Sequence, residues 1–392
     1  MASSTPASAP LDPAFAAAFR REAEAAGVAE AAGAAGVAGV AGAAGVLRFD
    51  AFMRLALYDP ALGYYRRERL RVGRDRAADF YTATSLGPLF GELVAAAAAK
   101  LLREAGLEPA AHRFVELGAE PGGGVLAGVR AQPFAAVETR RVGESLALAG
   151  PCVVFSNELF DAQPVRRFVR RAAGWHELGV ALGGALGGGE AGEADGAGSA
   201  LVEVDLGPAD PEAARWLPPP GETPEGYRFD APRAAAELAA DLAAEPWHGL
   251  FIAFDYGKRF AELAHAVPAG TARAYFRHTQ SNDLLARPGE QDLTAHVCWD
   301  WLEAALAPHA PADRPPRVES QESFLVHHAG DCIAAALAAE TAAGGRPGAG
   351  AVSPRRRALM HLLHPAQMGQ KFQVLHAPKT RPTSRPGGCA AG

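Results

Sequence analysis

Apolar positions along the chain follow two periods. Phe49, Phe52, Met53, Leu55 and Leu57 recur at helical spacing and predict a short amphipathic helix, broken at Asp59-Pro60 and turned at Gly63. A polar segment runs on to Asp79. Ser85 then precedes a longer helical pattern with Leu89, Leu93, Ala97 and Leu101 on one face and Gly106 as its stop. Three compact apolar runs break that rhythm, at residues 114–117, 152–156 and 250–254. Each is apolar on both faces, as expected of strands covered by helices on either side. Residues 134–137 read as a weaker strand. Asp230 and Pro232 suggest the cap and first turn of a helix before the third run. Ser353-Pro354 opens another helix through Leu363, Pro365 ends it, and residues 372–375 offer a closing strand.

The three apolar runs share a second property: each ends in polar groups. The first carries Glu116 and then Gly118, Gly122, Gly123 and Gly124; the second ends in Asn157-Glu158; the third ends in Asp255. In a parallel sheet these ends line one edge, where ligands bind at the topological switch point. Glycines let the backbone approach a ligand, and carboxylates accept hydrogen bonds from ribose hydroxyls or an ammonium. The glycine run alone is weak evidence in a chain with 44 glycines, but three polar strand ends together predict an α/β fold with a nucleotide-type crevice.

Composition narrows the class. With 392 residues, 49% hydrophobic and 21% charged, the chain fills a sizeable core. A formal charge of −6 gives no general attraction to nucleic acid or an anionic membrane, so neither is expected as a partner. The Arg166, Arg167, Arg170, Arg171 stretch is the best local basic patch, with a solvated strand edge as the blander reading. Cys152, Cys298, Cys332 and Cys389 lack metal or redox spacing, which predicts reduced thiols in a cytoplasmic protein. His327-His328 lacks a third ligand at metal spacing, so no metal is expected. Residues 1–46 are expected to be a low-complexity, mobile leader, too weakly apolar to span a membrane. Residues 181–200 suggest a flexible loop and residues 379–392 a disordered tail.

Several blocks carry a family resemblance: Phe49-Asp50-Ala51-Phe52-Met53, Leu57-Tyr58-Asp59-Pro60 with Gly63-Tyr64-Tyr65, Asp79-Phe80-Tyr81-Thr82, Val115-Glu116-Leu117-Gly118, Asn157-Glu158-Leu159-Phe160-Asp161-Ala162, Asp255-Tyr256-Gly257, Asp292-Leu293-Thr294-Ala295-His296-Val297 and His364-Pro365-Ala366-Gln367-Met368-Gly369. Over residues 47–378 the chain resembles the MidA-like family of S-adenosylmethionine-dependent methyltransferases, which includes a mitochondrial complex I assembly enzyme that symmetrically dimethylates an arginine. The resemblance implies a Rossmann-like class I methyltransferase sheet with an N-terminal helical segment and an inserted accessory or substrate lobe, the accessory parts near residues 47–90 and 258–330. It implies S-adenosylmethionine as cofactor and a protein with an acceptor arginine as substrate. Carried over residue by residue, Glu158 and Asp161 become the catalytic candidates. Glu116, Gly118, Gly122, Gly124, Glu138, Asn157, Asp79 and Thr82 become the cofactor candidates.

Two departures from the family pattern keep other readings open. Glu120 stands where the family's loop has its second glycine, and points either toward the cofactor's methionine end or outward. Only residues 125–156 separate the loop from the Asn-Glu strand, so at least one crossover helix is missing or reduced to a turn. A catalytically degenerate scaffold that binds a partner protein, and a small-molecule methyltransferase, are the alternatives. Asp161 suits a simple turn equally well, His296 a packed histidine, and Trp299 with Trp301, alternating on one face, a packing pair.

Overall fold

The computed structural model describes residues 11–26, 45–67, 83–183, 200–342 and 353–381. Its strands in chain order are β1 (Val46–Arg48), β2 (Arg113–Leu117), β3 (Ala136–Arg140), β4 (Gly150–Asn157), β5 (Arg166–Arg171), β6 (Gly174–Gly183), β7 (Ala200–Pro208) and β8 (Arg228–Ala231). They continue with β9 (Trp247–Asp255), β10 (Gly257–Lys258), β11 (Arg273–Phe276), β12 (Thr279–Ser281), β13 (Asp292–Thr294), β14 (Val297–Cys298), β15 (Arg317–Ser320) and β16 (Gln373–Lys379). The chain divides into two compact units. One gathers Met1–Tyr81, Asp161–Ala235 and Lys258–Cys298, the other Thr82–Phe160, Ala236–Gly257 and Trp299–Gly392.

The second unit is built on a six-stranded sheet of order β15-β16-β9-β4-β2-β3. The three apolar runs are neighbouring parallel strands, with Leu117 beside Ser156 and Asn157 beside Phe254, while β16 runs antiparallel to β9. Phe114, Phe155 and Phe254 occupy one face in a diagonal row, at 5.4 and 5.9 Å between ring centroids. The Pro88–Glu104 helix covers that face with Phe90 edge-on to Phe254 at 5.3 Å. Its apolar stripe forms as expected: Leu89, Leu93 and Ala97 are buried, and Gly106 takes the left-handed φ of 72° that ends a helix.

The shortened crossover is real and goes further than one helix. Residues 118–135, between β2 and β3, and residues 141–149, between β3 and β4, carry turns and no helix. Since β2 lies between β3 and β4, the chain moves outward by one strand and returns across β2. That reversal is the switch point of the sheet.

The first unit holds the sheet β1-β6-β5-β8, with β7 paired to β6, and the three-stranded sheet β12-β11-β13. Its core joins Phe49, Phe52 and Leu57 of the Phe49–Tyr58 helix to Val180 and Leu182 of β6. The Tyr-Asp-Pro and Gly-Tyr-Tyr blocks serve this unit. Tyr58 and Tyr65 stack at 5.6 Å, Tyr58 donates to the Ala162 carbonyl, and Tyr65 donates to Asp292. Burial, and then the nearby Asp292 carboxylate, push both phenols far above their ordinary pKa.

Several expectations are corrected. Pro13–Ala26, inside the expected leader, is a helix whose Phe15 and Phe19 are buried in the first unit's core, because its apolar residues fall on one face. Asp230 caps no helix. It lies in β8, where Oδ1 accepts from Arg167 and Oδ2 accepts the backbone N–H groups of Thr271 and Ala272. The arginine stretch is no sheet edge either: β5 pairs with β6 and β8. Arg166 is bound to Glu177 and Asp210, and Arg167 to Asp230 and Glu203. Trp299 and Trp301 open the Trp299–Leu306 helix, so at ~100° per residue they face apart. Trp299 is buried and donates to Gln373. The closing strand runs to Lys379, the first residue of the expected tail. Residues 1–10 and 27–44 of the leader, 184–199 of the loop and 382–392 of the tail lie outside the described residues.

Candidate active site at the switch point

Beyond Leu117 the chain must turn sharply, and Gly118 does so with φ 77°, where an L side chain is strained. Its N–H donates to the Arg140 carbonyl at 2.8 Å, which pins the loop's start to the end of β3. The loop's far end is pinned from below. Glu116 is buried, and its Oε2 accepts the Val125 N–H at 2.6 Å. Gly124 is required there, since a Cβ would lie 2.3 Å from Glu116 Oε2 and 2.7 Å from Thr139 Cγ2. Burial pushes the Glu116 carboxyl up to about 7, although the Val125 N–H favours its charged form. Glu116 thus closes the loop. Gly122 sits at the loop's crest, with nothing within 4 Å of where a Cβ would be.

The end of β4 is shaped from its other neighbour. Glu158 donates its N–H to the Phe254 carbonyl and adopts the left-handed φ of 54°, uncommon for a residue with a long side chain. Asp255, fully buried at the end of β9, accepts the Phe160 N–H at 2.8 Å through Oδ2 and the Tyr256 N–H through Oδ1. The Asn157–Phe160 turn is therefore fixed at both ends. Asn157 Nδ2 donates to Glu158 Oε1 at 3.0 Å, so the two side chains form one polar pair.

Sheet register sorts the remaining candidates. Glu116 pairs with Phe155 and Thr139, and Asn157 pairs with Phe254, so Glu116, Thr139 and Asn157 share one face. Glu138 pairs with Val115 and faces the other way. There its oxygens accept from Arg113 at 2.7 Å and Arg140 at 2.8 Å, which hold its pKa below the ordinary value. Both acceptors are engaged inside the sheet, which leaves Glu138 poorly disposed toward a ribose. Asp161 is buried in the first unit, where its charge bears on Tyr58 and Tyr65 and its carbonyl accepts from Ala295. His296 belongs to the same unit; burial pushes its imidazole down to about 4, which suits a packed neutral histidine. Asp79 and Thr82 lie outside the described residues.

Sequence reasoning missed Thr139, Ser156 and the Val125 N–H. Only the register reveals that Thr139, and not its neighbour Glu138, stands over the glycine loop.

Two atoms at this edge test whether a cofactor fits. Asn157 Oδ1 and Ser156 Oγ are buried and have no hydrogen-bond partner among the described residues. Buried polar atoms are seldom left so, and a ligand donor completes them. A loop free of side chains at Gly118, Gly122 and Gly124, beside an unpartnered buried acceptor, is a cradle suited to a nucleoside-type cofactor.

The comparisons agree with this geometry. Residues 137–314 match the family described as "Putative S-adenosyl-L-methionine-dependent methyltransferase". A crystal structure of a COG1565 superfamily member from Burkholderia thailandensis, bound to S-adenosyl-homocysteine, superposes with a TM-score of 0.70 at 27% identity, covering 96% of this chain and 95% of that one. A native crystal structure of a COG1565 superfamily protein from the same organism shares the fold, with a TM-score of 0.67 at 24% identity and coverage of 96% and 95%. No curated protein matches. Among the described residues no helix is long and apolar enough to cross a membrane. Over its matched segment, and in fold over its full length, the chain is similar to S-adenosyl-L-methionine-dependent methyltransferases.

Proposed function

We propose that the chain binds S-adenosylmethionine at the switch point between β2 and β4 and methylates an arginine of a protein acceptor. The observation that carries the reading is the buried, unpartnered Asn157 Oδ1 beside the glycine loop. When bound, the cofactor supplies an electrophilic methyl group on a sulfonium. The backbone at Gly118 and Gly122 allows close approach, Asn157 Oδ1 accepts a hydrogen bond, and Glu116 holds the loop in shape. The bound S-adenosyl-homocysteine of the Burkholderia protein supports the same ligand class here.

The arginine reading rests on Glu158. A guanidinium nitrogen is a poor nucleophile because its lone pair is delocalised. A carboxylate that fixes charge on the other nitrogens frees the attacking one, and can take the proton it sheds. Glu158 stands at the end of β4, with Asn157 Nδ2 on its Oε1. Asp161, enclosed with Tyr58 and Tyr65, is not needed for this step.

Two measurements test the proposal. Calorimetry of the full chain with S-adenosylmethionine and S-adenosylhomocysteine should give stoichiometric binding. Transfer of labelled methyl to lysate proteins, followed by acid hydrolysis, should yield methylated arginine. Label on a small molecule or another side chain would overturn the arginine assignment. Absence of binding to either nucleoside would favour a degenerate scaffold.

A further inference from the structure

At the sheet edge away from the switch point, three groups from distant parts of the chain converge. Glu319 lies on edge strand β15 and His376 on β16. Glu319 pairs with Val374, two residues from His376, so the two side chains are diagonal neighbours on one face. His328 comes from the Gln321–Ala342 helix that follows β15 directly. Both imidazoles direct Nε2 at the same oxygen, Glu319 Oε1, at 3.2 Å from His328 and 3.1 Å from His376. The three donor atoms all lie within 4.8 Å of one another.

The other carboxylate oxygen is held from behind. Glu319 Oε2 accepts from Ser323 Oγ at 2.8 Å and stands 3.1 Å from His327 Nδ1. Such outer partners orient a ligating carboxylate. His376 is buried, Phe324 lies against both rings, and His328 Nδ1 is a buried atom with no partner among the described residues. Just past His328 the helix is broken at Ala329, with φ −124° and ψ 18°. The local backbone is thus bent where the ring is presented.

We propose that Glu319, His328 and His376 form a binding site for a first-row divalent metal ion, Zn(II) by ligand type. Donors at ordinary Zn–N and Zn–O lengths on a tetrahedral ion lie roughly 3.3 Å apart. The two separations at Glu319 Oε1 match that edge with the side chains as they stand. Two imidazoles and one carboxylate, with a fourth position for water, suit zinc better than the all-oxygen shells of calcium or magnesium. For the ion to bind, each imidazole presents the Nε2 lone pair and carries its proton on Nδ1. The ion would tie the edge strand β15 and the following helix to β16. His327-His328 found no third ligand at sequence spacing because Glu319 and His376 reach it only through the β15–β16 register.

The test uses the full chain, stripped with a chelator and titrated with Zn(II) alone. One equivalent should bind more tightly than about 10 µM. Cobalt(II) in its place should show the intense visible absorption of a four-coordinate ion. Glu319→Gln and His328→Ala should each weaken binding roughly tenfold or more, whereas the exposed His265→Ala should not. The cobalt spectrum of the parent protein decides the matter even if a variant fails to fold. A parent that binds no equivalent, a six-coordinate cobalt spectrum, or folded Glu319 and His328 variants that bind like the parent would each overturn the proposal.

Discussion

The Glu116 carboxylate accepts the Val125 N–H at 2.6 Å, closing the glycine loop from beneath across nine residues. Burial raises that carboxyl from its ordinary 4.5 to about 7, so the loop's closure is tied to a titration. Below about pH 4.5 the group is protonated in both the folded and the unfolded chain. Between there and about 7 the folded chain retains a proton that the unfolded chain has lost, so stability falls as pH rises. At about 1.36 kcal/mol per unit the contribution is of order 3–3.5 kcal/mol. Glu116→Gln keeps an acceptor for Val125 and removes the titration. Denaturant melts between pH 4.5 and 7 should show the parent losing stability relative to the variant, and parallel profiles would refute the assignment.

Three glycines of the same loop separate folding from binding. Gly122→Ala places a methyl in open space and should leave stability within about 0.5 kcal/mol, while cofactor affinity drops where that methyl meets a ligand. Gly124→Ala drives a Cβ onto Glu116 Oε2 and should lower both stability and affinity. Gly118→Val combines left-handed φ with a branched side chain beside Leu159, at a cost of about 1–2 kcal/mol. Melting curves paired with calorimetry distinguish the three outcomes.

Asp230 organises the other unit. One oxygen holds Arg167 at 2.7 Å, and the other holds two backbone N–H groups at 2.6 and 2.7 Å. Asp230→Ala would leave Arg167 without its buried partner and both amides unsatisfied. A loss of about 3–5 kcal/mol is expected, read as a lowered denaturation midpoint. A loss under about 1 kcal/mol would show that the network relaxes around the gap.

What was legible in the sequence follows from how local each signal is. Strands β2, β4 and β9 were marked by apolar runs with polar ends, and the Phe49–Tyr58 and Pro88–Glu104 helices by their stripes and breakers. The loss of at least one crossover helix was legible too, because chain length alone forbade a full set; the loss of both shows only in the fold. Asp230 was misread because a short acidic residue before Pro232 has the same local signature in a strand as at a helix start. The arginines of β5 looked like an edge because their partners Glu177, Glu203 and Asp210 come from elsewhere in the chain. Glu138 and Thr139 are adjacent, and only the β2–β3 register decides which of them shares a face with Glu116.

Glu158 carries the mechanistic prediction. Its backbone is held left-handed by the Phe254 carbonyl, and Asn157 Nδ2 fixes its Oε1 at 3.0 Å. Glu158→Gln keeps the shape and removes the charge. If the carboxylate orients the acceptor guanidinium, turnover should fall while cofactor affinity holds. Loss of a charged hydrogen bond in a closed site costs about 1.5–3 kcal/mol, or roughly ten- to over a hundredfold in rate. Glu158→Gly supplies the structural control: it relieves the positive φ, so stability should hold or rise while activity is lost. A Gln variant that labels its acceptor as fast as the parent would remove Glu158 from the reaction. Equal losses of cofactor affinity and turnover would instead make Glu158 a support for Asn157, and the arginine reading would lose its carboxylate.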